Sequence, residues 1–126
     1  MEKLTIEQKN KTPRIDFNPE TGMMEIAGVS SAENSLEFYK PILRWIDEYK
    51  AGKIPTKTIV NVNYKYFNTS SAKCILDMLE RFVQIKIAGA ELVINWFYEK
   101  DDEEMYDAGY NFGDILETPF EMNEIE

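Results

Sequence analysis

The chain has 126 residues, of which 44% are hydrophobic and 13% aromatic, and its formal net charge is −9. This length and composition predict one domain over residues 1–126 with a single hydrophobic core. The sequence contains no histidine, so the commonest general base and the commonest zinc ligand are missing. Most routes to hydrolysis or acyl transfer at neutral pH are therefore closed, whereas carboxylate-only chemistry and a Mg²⁺ site of acidic residues stay open. We predict a protein that is not an enzyme and that holds no cofactor and no metal.

The negative charge is concentrated at the C-terminal end. Residues 1–98 hold thirteen Lys/Arg and twelve Asp/Glu, whereas residues 99–126 hold Lys100 alone against eleven acids. Such a field repels a phosphate backbone, which argues against a nucleic acid as partner. Two interpretations stay open, namely a solvated face that aids solubility and a surface that contacts a basic protein.

Neither the single cysteine nor the N-terminal segment indicates export. Cys74 cannot form an internal disulfide, and its apolar neighbours indicate a buried thiol, as expected in a reducing compartment. The first nine residues lack the apolar stretch of a signal peptide. No apolar run approaches the roughly 18 residues of a membrane span. We predict a soluble, cytoplasmic protein that does not contact a membrane.

The first residues predict an arm followed by a β-hairpin. Residues 1–13 are mostly polar and are expected to form a loose N-terminal arm. Polar and apolar residues alternate over 14–17, as in a half-buried strand. A turn over 18–22, rich in Asn, Pro and Gly, leads to a second extended pattern over 23–29.

A loop over 28–33 precedes the first predicted helix. Asn34 is its expected N-cap, with Glu37 completing a capping box. The helix should end near Gly52, and Pro41 should kink it or divide its first turns from the rest. Its apolar face recurs at intervals of three and four residues and comprises Leu36, Tyr39, Ile42, Leu43, Ile46 and Tyr49.

The middle of the chain alternates strand and helix. Residues 57–67 are rich in β-branched and aromatic side chains and predict a buried strand. Apolar residues from Ile75 to Ile87 recur at helical spacing, and Gly89 is expected to close this second helix. Residues 91–98 form the clearest strand pattern in the chain.

The acidic C-terminal segment predicts a short helix and an edge strand. Acids at 99–104 suit a helix start, and the helix is expected to bury Met105, Tyr106, Tyr110 and Phe112. Residues 118–122 are a candidate edge strand, since Pro119 is tolerated there. Residues 121–126 are predicted to form an acidic tail.

The predicted order is β-β-α-β-α-β-α-β, an α/β fold with a mixed, five-stranded sheet and helices packed on it. Strand-helix-strand units require parallel pairing, and sites in such sheets gather beyond the carboxyl ends of the parallel strands. The loops over 28–33 and 67–71 both leave that edge. We expect them to lie close together.

A polar cluster, Asn68-Thr69-Ser70-Ser71, lies where the buried strand gives way to the second helix. Ser, Thr and Asn are favoured at helix starts because their oxygens accept hydrogen bonds from free backbone N–H groups. A helix N-terminus also stabilises an anion, so a hydroxyl there can carry a phosphoryl group at low electrostatic cost. The cluster is therefore a cap, a phosphoacceptor, or both.

Four segments in register resemble a known family. The order of elements is similar to the STAS domain of anti-sigma factor antagonists, and the chain more specifically resembles the SiaC family of bacterial regulatory phosphoproteins. The resemblance covers about residues 15–120 and is carried by Ser31-Ala32-Glu33-Asn34-Ser35, Phe38-Tyr39-Lys40-Pro41-Ile42-Leu43-Arg44-Trp45, Phe67-Asn68-Thr69-Ser70-Ser71-Ala72-Lys73 and Trp96-Phe97-Tyr98-Glu99-Lys100-Asp101-Asp102-Glu103.

The resemblance implies a phosphorylation switch. The family phosphoacceptor falls on Thr69, with Asn68, Ser70 and Ser71 as its shell. A kinase with a histidine-kinase-like ATP fold would phosphorylate Thr69, and a PP2C-type phosphatase would reverse the reaction. The unphosphorylated form would bind and activate a diguanylate cyclase in a cyclic-di-GMP and biofilm pathway.

Other interpretations remain. Ser31, Glu33 and Asn34 are candidate partner contacts, although a turn and a cap also account for Glu33 and Asn34. Carboxylates at 101–104 could be imagined as a Mg²⁺ site of an enzyme, but consecutive side chains on a helix start point in different directions. A constitutive acidic adaptor or an anti-sigma-factor-antagonist-like binding module is the alternative function.

Overall fold

Six strands form one sheet in the computed structural model, which describes residues 1–125. The strands are β1 (Leu4–Ile6), β2 (Arg14–Asn18), β3 (Met23–Ser30), β4 (Lys57–Phe67), β5 (Glu91–Glu99) and β6 (Glu121–Ile125). The helices are α1 (Ser35–Ala51), α2 (Thr69–Ile87) and α3 (Glu103–Ile115). The strands lie in the sheet in chain order, and the predicted mixed α/β fold is confirmed.

Both kinds of strand pairing occur in the sheet. Strands β1, β2 and β3 pair antiparallel, and β3 to β6 pair parallel. Gly22 closes the β2–β3 hairpin at φ +78°, and its N–H donates to the Asn18 carbonyl over 3.0 Å. Each parallel pair is joined by one helix, as parallel strands require. The carboxyl ends of β3, β4 and β5 therefore share one edge of the sheet.

The core lies between one face of the sheet and the helices. Val60, at the centre of β4, is fully buried and pairs in register with Met24 on one side and Ile94 on the other. All three helices contribute to the same core cluster, for example through Ile46, Ile75 and Met105. Along β3 and β4, buried residues alternate with half-buried ones, which is the pattern of a sheet with one buried face.

The two chain ends differ from the prediction. The arm expected over 1–13 contains β1, whose Leu4 and Ile6 pack against the core, so the sheet has six strands and not five. The expected acidic tail is β6 over Glu121–Ile125, while Glu126 lies outside the described residues. In both segments, pairing with a neighbouring strand outweighs a polar composition.

Two further expectations about helices are corrected. Helix α1 runs without a break through the exposed Pro41, so Pro41 does not divide its first turns from the rest. Helix α3 buries Met105, Gly109 and Gly113, whereas Tyr106 and Tyr110 face outward. None of the helices in residues 1–125 combines the length and the apolar composition that crossing a membrane requires.

Candidate functional site

The two loops expected at the carboxyl edge of the sheet are in contact. The backbone N–H of Asn68 donates to the Ser30 carbonyl over 3.0 Å, and the Asn68 side-chain amide donates to the Ala32 carbonyl over 3.3 Å. The end of β4 is thereby tied to the end of β3 and to the loop that leads into α1. The predicted proximity of these loops is confirmed.

Asn68 is the N-cap of α2. Its Oδ1 accepts the backbone N–H of Ser71 over 2.9 Å and the hydroxyl of Ser70 over 3.2 Å. The first turn of α2 contains no acidic residue, so no fixed negative charge offsets the positive end of the helix dipole. The helix start is capped and still favourable to an anion.

The three hydroxyls after Asn68 lie in different environments. Ser71 is completely buried, and its Oγ lies 2.8 Å from both Ser30 Oγ and Ser35 Oγ. Ser70 is exposed, but its Oγ lies 2.9 Å from Ser35 Oγ. Thr69 is exposed, and its hydroxyl makes no hydrogen bond to any residue in 1–125. Among the three, only Thr69 presents an accessible and unengaged hydroxyl.

A chain of hydroxyls leads from this helix start into the core. Ser30 donates to Ser71, so the single hydroxyl proton of Ser30 is used there. Tyr39 must then donate to Ser30 over 2.8 Å, and Tyr64 to Tyr39 over 2.9 Å. We call the following set the hydroxyl chain: Tyr64, Tyr39, Ser30, Ser71, Ser35 and Ser70.

The two phenols in the hydroxyl chain are buried and neutral. Burial raises the pKa of Tyr39 from 10.0 to about 12, against the opposing effect of its hydrogen bonds to Ser30 and Tyr64. Burial also raises the pKa of Tyr64 well above its ordinary value, and the neighbouring Tyr39 adds to the rise. Both phenols therefore act as hydrogen-bond donors under physiological conditions.

Thr69 opens onto a groove of about 400 Å³ between the starts of α1 and α2. We call it the Thr69 groove, and its lining includes Glu33, Asn34, Leu36, Thr69, Lys73 and Asp77. Lys73 follows Thr69 by one helical turn. Two of the predicted partner contacts, Glu33 and Asn34, thus lie beside Thr69.

Ser31 lies outside the Thr69 groove, and Leu36 differs from its predicted position. Ser31 is half-buried outside the groove lining, and its backbone N–H donates to the Lys11 carbonyl over 2.9 Å. Leu36, predicted to lie on the buried face of α1, is 61% exposed and forms part of the groove wall. It belongs to the first turn of α1, ahead of the turns that contact the core.

The sequence interpretation also missed Lys73 and Asp77 as parts of the groove. Lys73 and Asp77 follow Thr69 by one and two helical turns. This spacing places all three on the same side of α2 and could have been recognised in the sequence. Cys74, between them in the lining, is buried as predicted. Burial raises the pKa of its thiol, and the charge of Asp77 adds to the rise while Lys73 opposes it. The thiol is therefore protonated at neutral pH.

The carboxylates near the start of α3 do not form a metal site. Within residues 1–125, no three His, Cys, Asp or Glu side chains converge where a metal ion could bind. Asp102 is instead the N-cap of α3, since its Oδ1 accepts the Met105 N–H over 3.0 Å. The Asp101–Glu104 segment thus contains a helix N-cap that is flanked by other acidic residues.

Comparison with known proteins gives one consistent result. The family model of SiaC family regulatory phosphoproteins matches residues 6–125. An uncharacterized protein of Pseudomonas aeruginosa strain UCBPP-PA14 is 26% identical over 121 residues, which cover 95% of this chain and 94% of that protein.

Solved structures of SiaC from Pseudomonas aeruginosa share the fold. The crystal structure of apo-SiaC aligns with a TM-score of 0.85 at 24% identity and covers 98% of this chain and 99% of that chain. SiaC, described as the activator of the diguanylate cyclase SiaD and solved in complex with it, aligns with a TM-score of 0.86 at 24% identity, covering 97% and 99%.

Proposed function

The chain belongs to the SiaC family of regulatory phosphoproteins, and on this premise we propose that it is a non-enzymatic, phosphorylation-switched binding module whose phosphoacceptor is Thr69. The observation that carries the proposal is the contrast among three neighbouring hydroxyls. Thr69 is exposed and unengaged, Ser70 is hydrogen-bonded, and Ser71 is buried. A kinase can reach the Thr69 oxygen without unfolding the start of α2.

The surroundings of Thr69 suit a phosphoryl group. The first backbone N–H groups of α2 and its dipole favour a negative charge, and no acid lies in the first turn. Lys73, one turn along the helix, lines the same groove and can pair with the phosphate. Phosphorylation would change the Thr69 groove from a mixed surface to a strongly negative one.

The unphosphorylated form is proposed to bind and activate a diguanylate cyclase, and so to raise cyclic-di-GMP. Support comes from membership of the family and from the Pseudomonas aeruginosa SiaC that was solved with the cyclase SiaD as its activator. A kinase with a histidine-kinase-like ATP fold and a PP2C-type phosphatase are the proposed enzymes that set the phosphorylation state.

The test combines phosphosite mapping with matched variants. Protein isolated from its native cells should carry phosphate on Thr69. Thr69→Ala should bind and activate the cyclase in all conditions, whereas Thr69→Asp should bind at least about tenfold more weakly, because the added charge lies in the contact surface. Cyclase binding is measured by calorimetry and activation by cyclic-di-GMP production.

Thr69→Ser and Ser70→Ala are the controls. The first retains an acceptor hydroxyl and should be phosphorylated, and the second removes a neighbouring hydroxyl and should leave phosphorylation in place. The proposal fails if phosphate is never found on Thr69. It also fails if Thr69→Asp and the wild type bind and activate the cyclase equally.

A further inference from the structure

A second groove lies between α3 and the edge strand β6. It has a volume of about 520 Å³. We call it the α3–β6 groove, and its lining includes Tyr106, Tyr110, Asp114, Glu117, Phe120 and Met122. It shares no lining residue with the Thr69 groove. The two grooves are therefore distinct surfaces.

Two of the aromatic rings that line the α3–β6 groove are exposed, whereas the third, Phe120, is buried. Tyr110 is 62% exposed and Tyr106 39% exposed. The ring of Tyr106 is held edge-on against Tyr98 at a centroid distance of 5.1 Å, and Phe120, in the lining, stacks on Trp96 at 6.0 Å. Aromatic side chains that are fixed in place and yet exposed are typical of protein contact surfaces, because they bury a large area at a small entropic cost.

The charged residues that line this groove are both acidic. Residues 101–126 contain no Lys or Arg. The two lining acids, Asp114 and Glu117, form no ion pair with any residue in 1–125, since every ion pair there involves acids at other positions. Their charges are left to solvent or to a partner. An occupant that complements this surface carries Lys or Arg together with apolar side chains.

The same charges disfavour a second copy of this chain. Strand β6 is an edge strand, and its exposed Glu121 and Glu124 would face the same acids if two β6 edges paired. Charged residues on an edge strand prevent such self-pairing. The same acidic residues would attract a basic segment.

We propose that the α3–β6 groove is a docking surface for a basic segment of a partner protein that also carries aliphatic or aromatic side chains. Apolar side chains of the segment pack against Tyr106 and Tyr110. Its cations pair with Asp114 and Glu117. Docking here does not require Thr69, so the chain can hold one partner at this groove while its phosphorylation state changes at the other.

The experiment selects binders without assuming the partner. A display library of random peptides about ten residues long is selected against the full chain. Enriched peptides should contain Lys or Arg with aliphatic or aromatic residues, and their affinity should fall steeply between about 0.05 and about 0.5 M salt. Labelled peptides should perturb the amide resonances of α3 and β6 in ¹⁵N–¹H spectra.

Variants then locate the site. Tyr110→Ala should weaken the selected peptides about tenfold, as should the double variant Asp114→Asn with Glu117→Asn. Asn is chosen at 117 because Glu117 has φ +51°, which Asn tolerates. Leu36→Ala, at the other groove, and Thr69→Asp are the controls and should bind the peptides as the wild type does.

Several results contradict the proposal. These are a failure to enrich any peptide, enrichment of neutral or acidic peptides, and equal binding by Tyr110→Ala and the wild type. Self-association that is lost in Tyr110→Ala would show that a second copy occupies the groove. None of these results bears on phosphorylation of Thr69, which is read out by phosphosite mapping.

Discussion

At the scale of single residues, the polar cluster at the start of α2 divides according to the side of the helix on which each residue lies. Ser71 precedes Ile75 by one turn and lies on the buried face of α2. The Ser71 hydroxyl accepts a hydrogen bond from Ser30 and forms another with the hydroxyl of Ser35. Thr69 lies on the solvent side. One residue type therefore serves two purposes, internal hydrogen bonding at 71 and an accessible hydroxyl at 69.

Ser71→Ala should destabilise the fold, whereas Ser70→Ala should not. Removal of the Ser71 hydroxyl leaves Ser30 without its acceptor and deprives Ser35 of a partner in a site closed to water, which costs about 1–3 kcal/mol. Ser70 is exposed, so water can replace its hydrogen bonds, and the change should stay within about 0.5 kcal/mol. Urea unfolding of both variants measures the difference, and equal midpoints would contradict the assigned burial.

At the scale of elements, α3 shows packing overriding helix propensity. Gly109 and Gly113 each lower the propensity by about 1 kcal/mol relative to Ala. A Cβ at Gly109 would lie 2.4 Å from Trp96 Cδ1, and one at Gly113 would lie 3.1 Å from the Thr118 carbonyl oxygen. These glycines let α3 approach the sheet closely enough for Trp96 Nε1 to donate to the Met105 carbonyl over 2.9 Å.

Gly109→Ala should therefore lower stability although Ala is the better helix former. Trp96 is fully buried and cannot move away from an added Cβ. The resulting overpacking should lower the free energy of unfolding by about 1–3 kcal/mol. Asn111→Ala, at an exposed position of the same helix, is the matched control and should be neutral or slightly stabilising. Thermal unfolding of the two proteins tests this, and a Gly109→Ala protein as stable as the wild type would refute the close contact.

At the scale of the whole molecule, the sheet and two helices meet at a buried polar assembly. Ser30 belongs to β3, Tyr64 to β4, Tyr39 to α1 and Ser71 to α2. No buried side-chain polar atom in residues 1–125 is left without a hydrogen-bond partner. Because the hydroxyl chain is satisfied only when all four elements are docked, it helps to specify one arrangement of them.

The buried phenols make the fold sensitive to high pH. The pKa of Tyr39 is about 12 in the folded chain against 10.0 for an exposed tyrosine, so the folded state holds a proton that the unfolded state releases above pH 10. Stability is full below pH 10 and falls as pH rises toward 12, by up to about 1.4 kcal/mol per pH unit for each such group. Tyr64 shifts in the same direction.

Urea unfolding followed from about pH 8 to about pH 11.5 should show this decline. Tyr39→Phe should be less stable at neutral pH, because Ser30 and Tyr64 lose a partner, but its decline above pH 10 should be shallower. Tyr66→Phe changes a ring that is 56% exposed and is the control that should keep the wild-type profile. A wild-type stability that does not change over this pH range would contradict the buried phenols.

Much of the fold could be predicted because the signals are local. Asn34 and Asn68 cap their helices by accepting N–H groups three residues ahead, an interaction that a short segment specifies by itself. The sequence pattern does not predict strand β1, and it predicts part of β6 as a tail. Such short, polar strands form only through pairing with a neighbouring strand. Their stability comes from residues distant in the chain.

The sequence by itself determined the order of the elements from β2 to β6 and the location of a hydroxyl cluster at a helix start, since each depends on periodicity or on neighbouring residues. The resemblance of four segments indicated the family. Only the tertiary structure decided which hydroxyl is exposed, which residues line the Thr69 groove and that an aromatic, acidic groove lies between α3 and β6. Those features depend on contacts such as Ser30 with Ser71, 41 residues apart. The physical reason is that burial is a property of packed elements, whereas capping and periodicity are properties of the local chain.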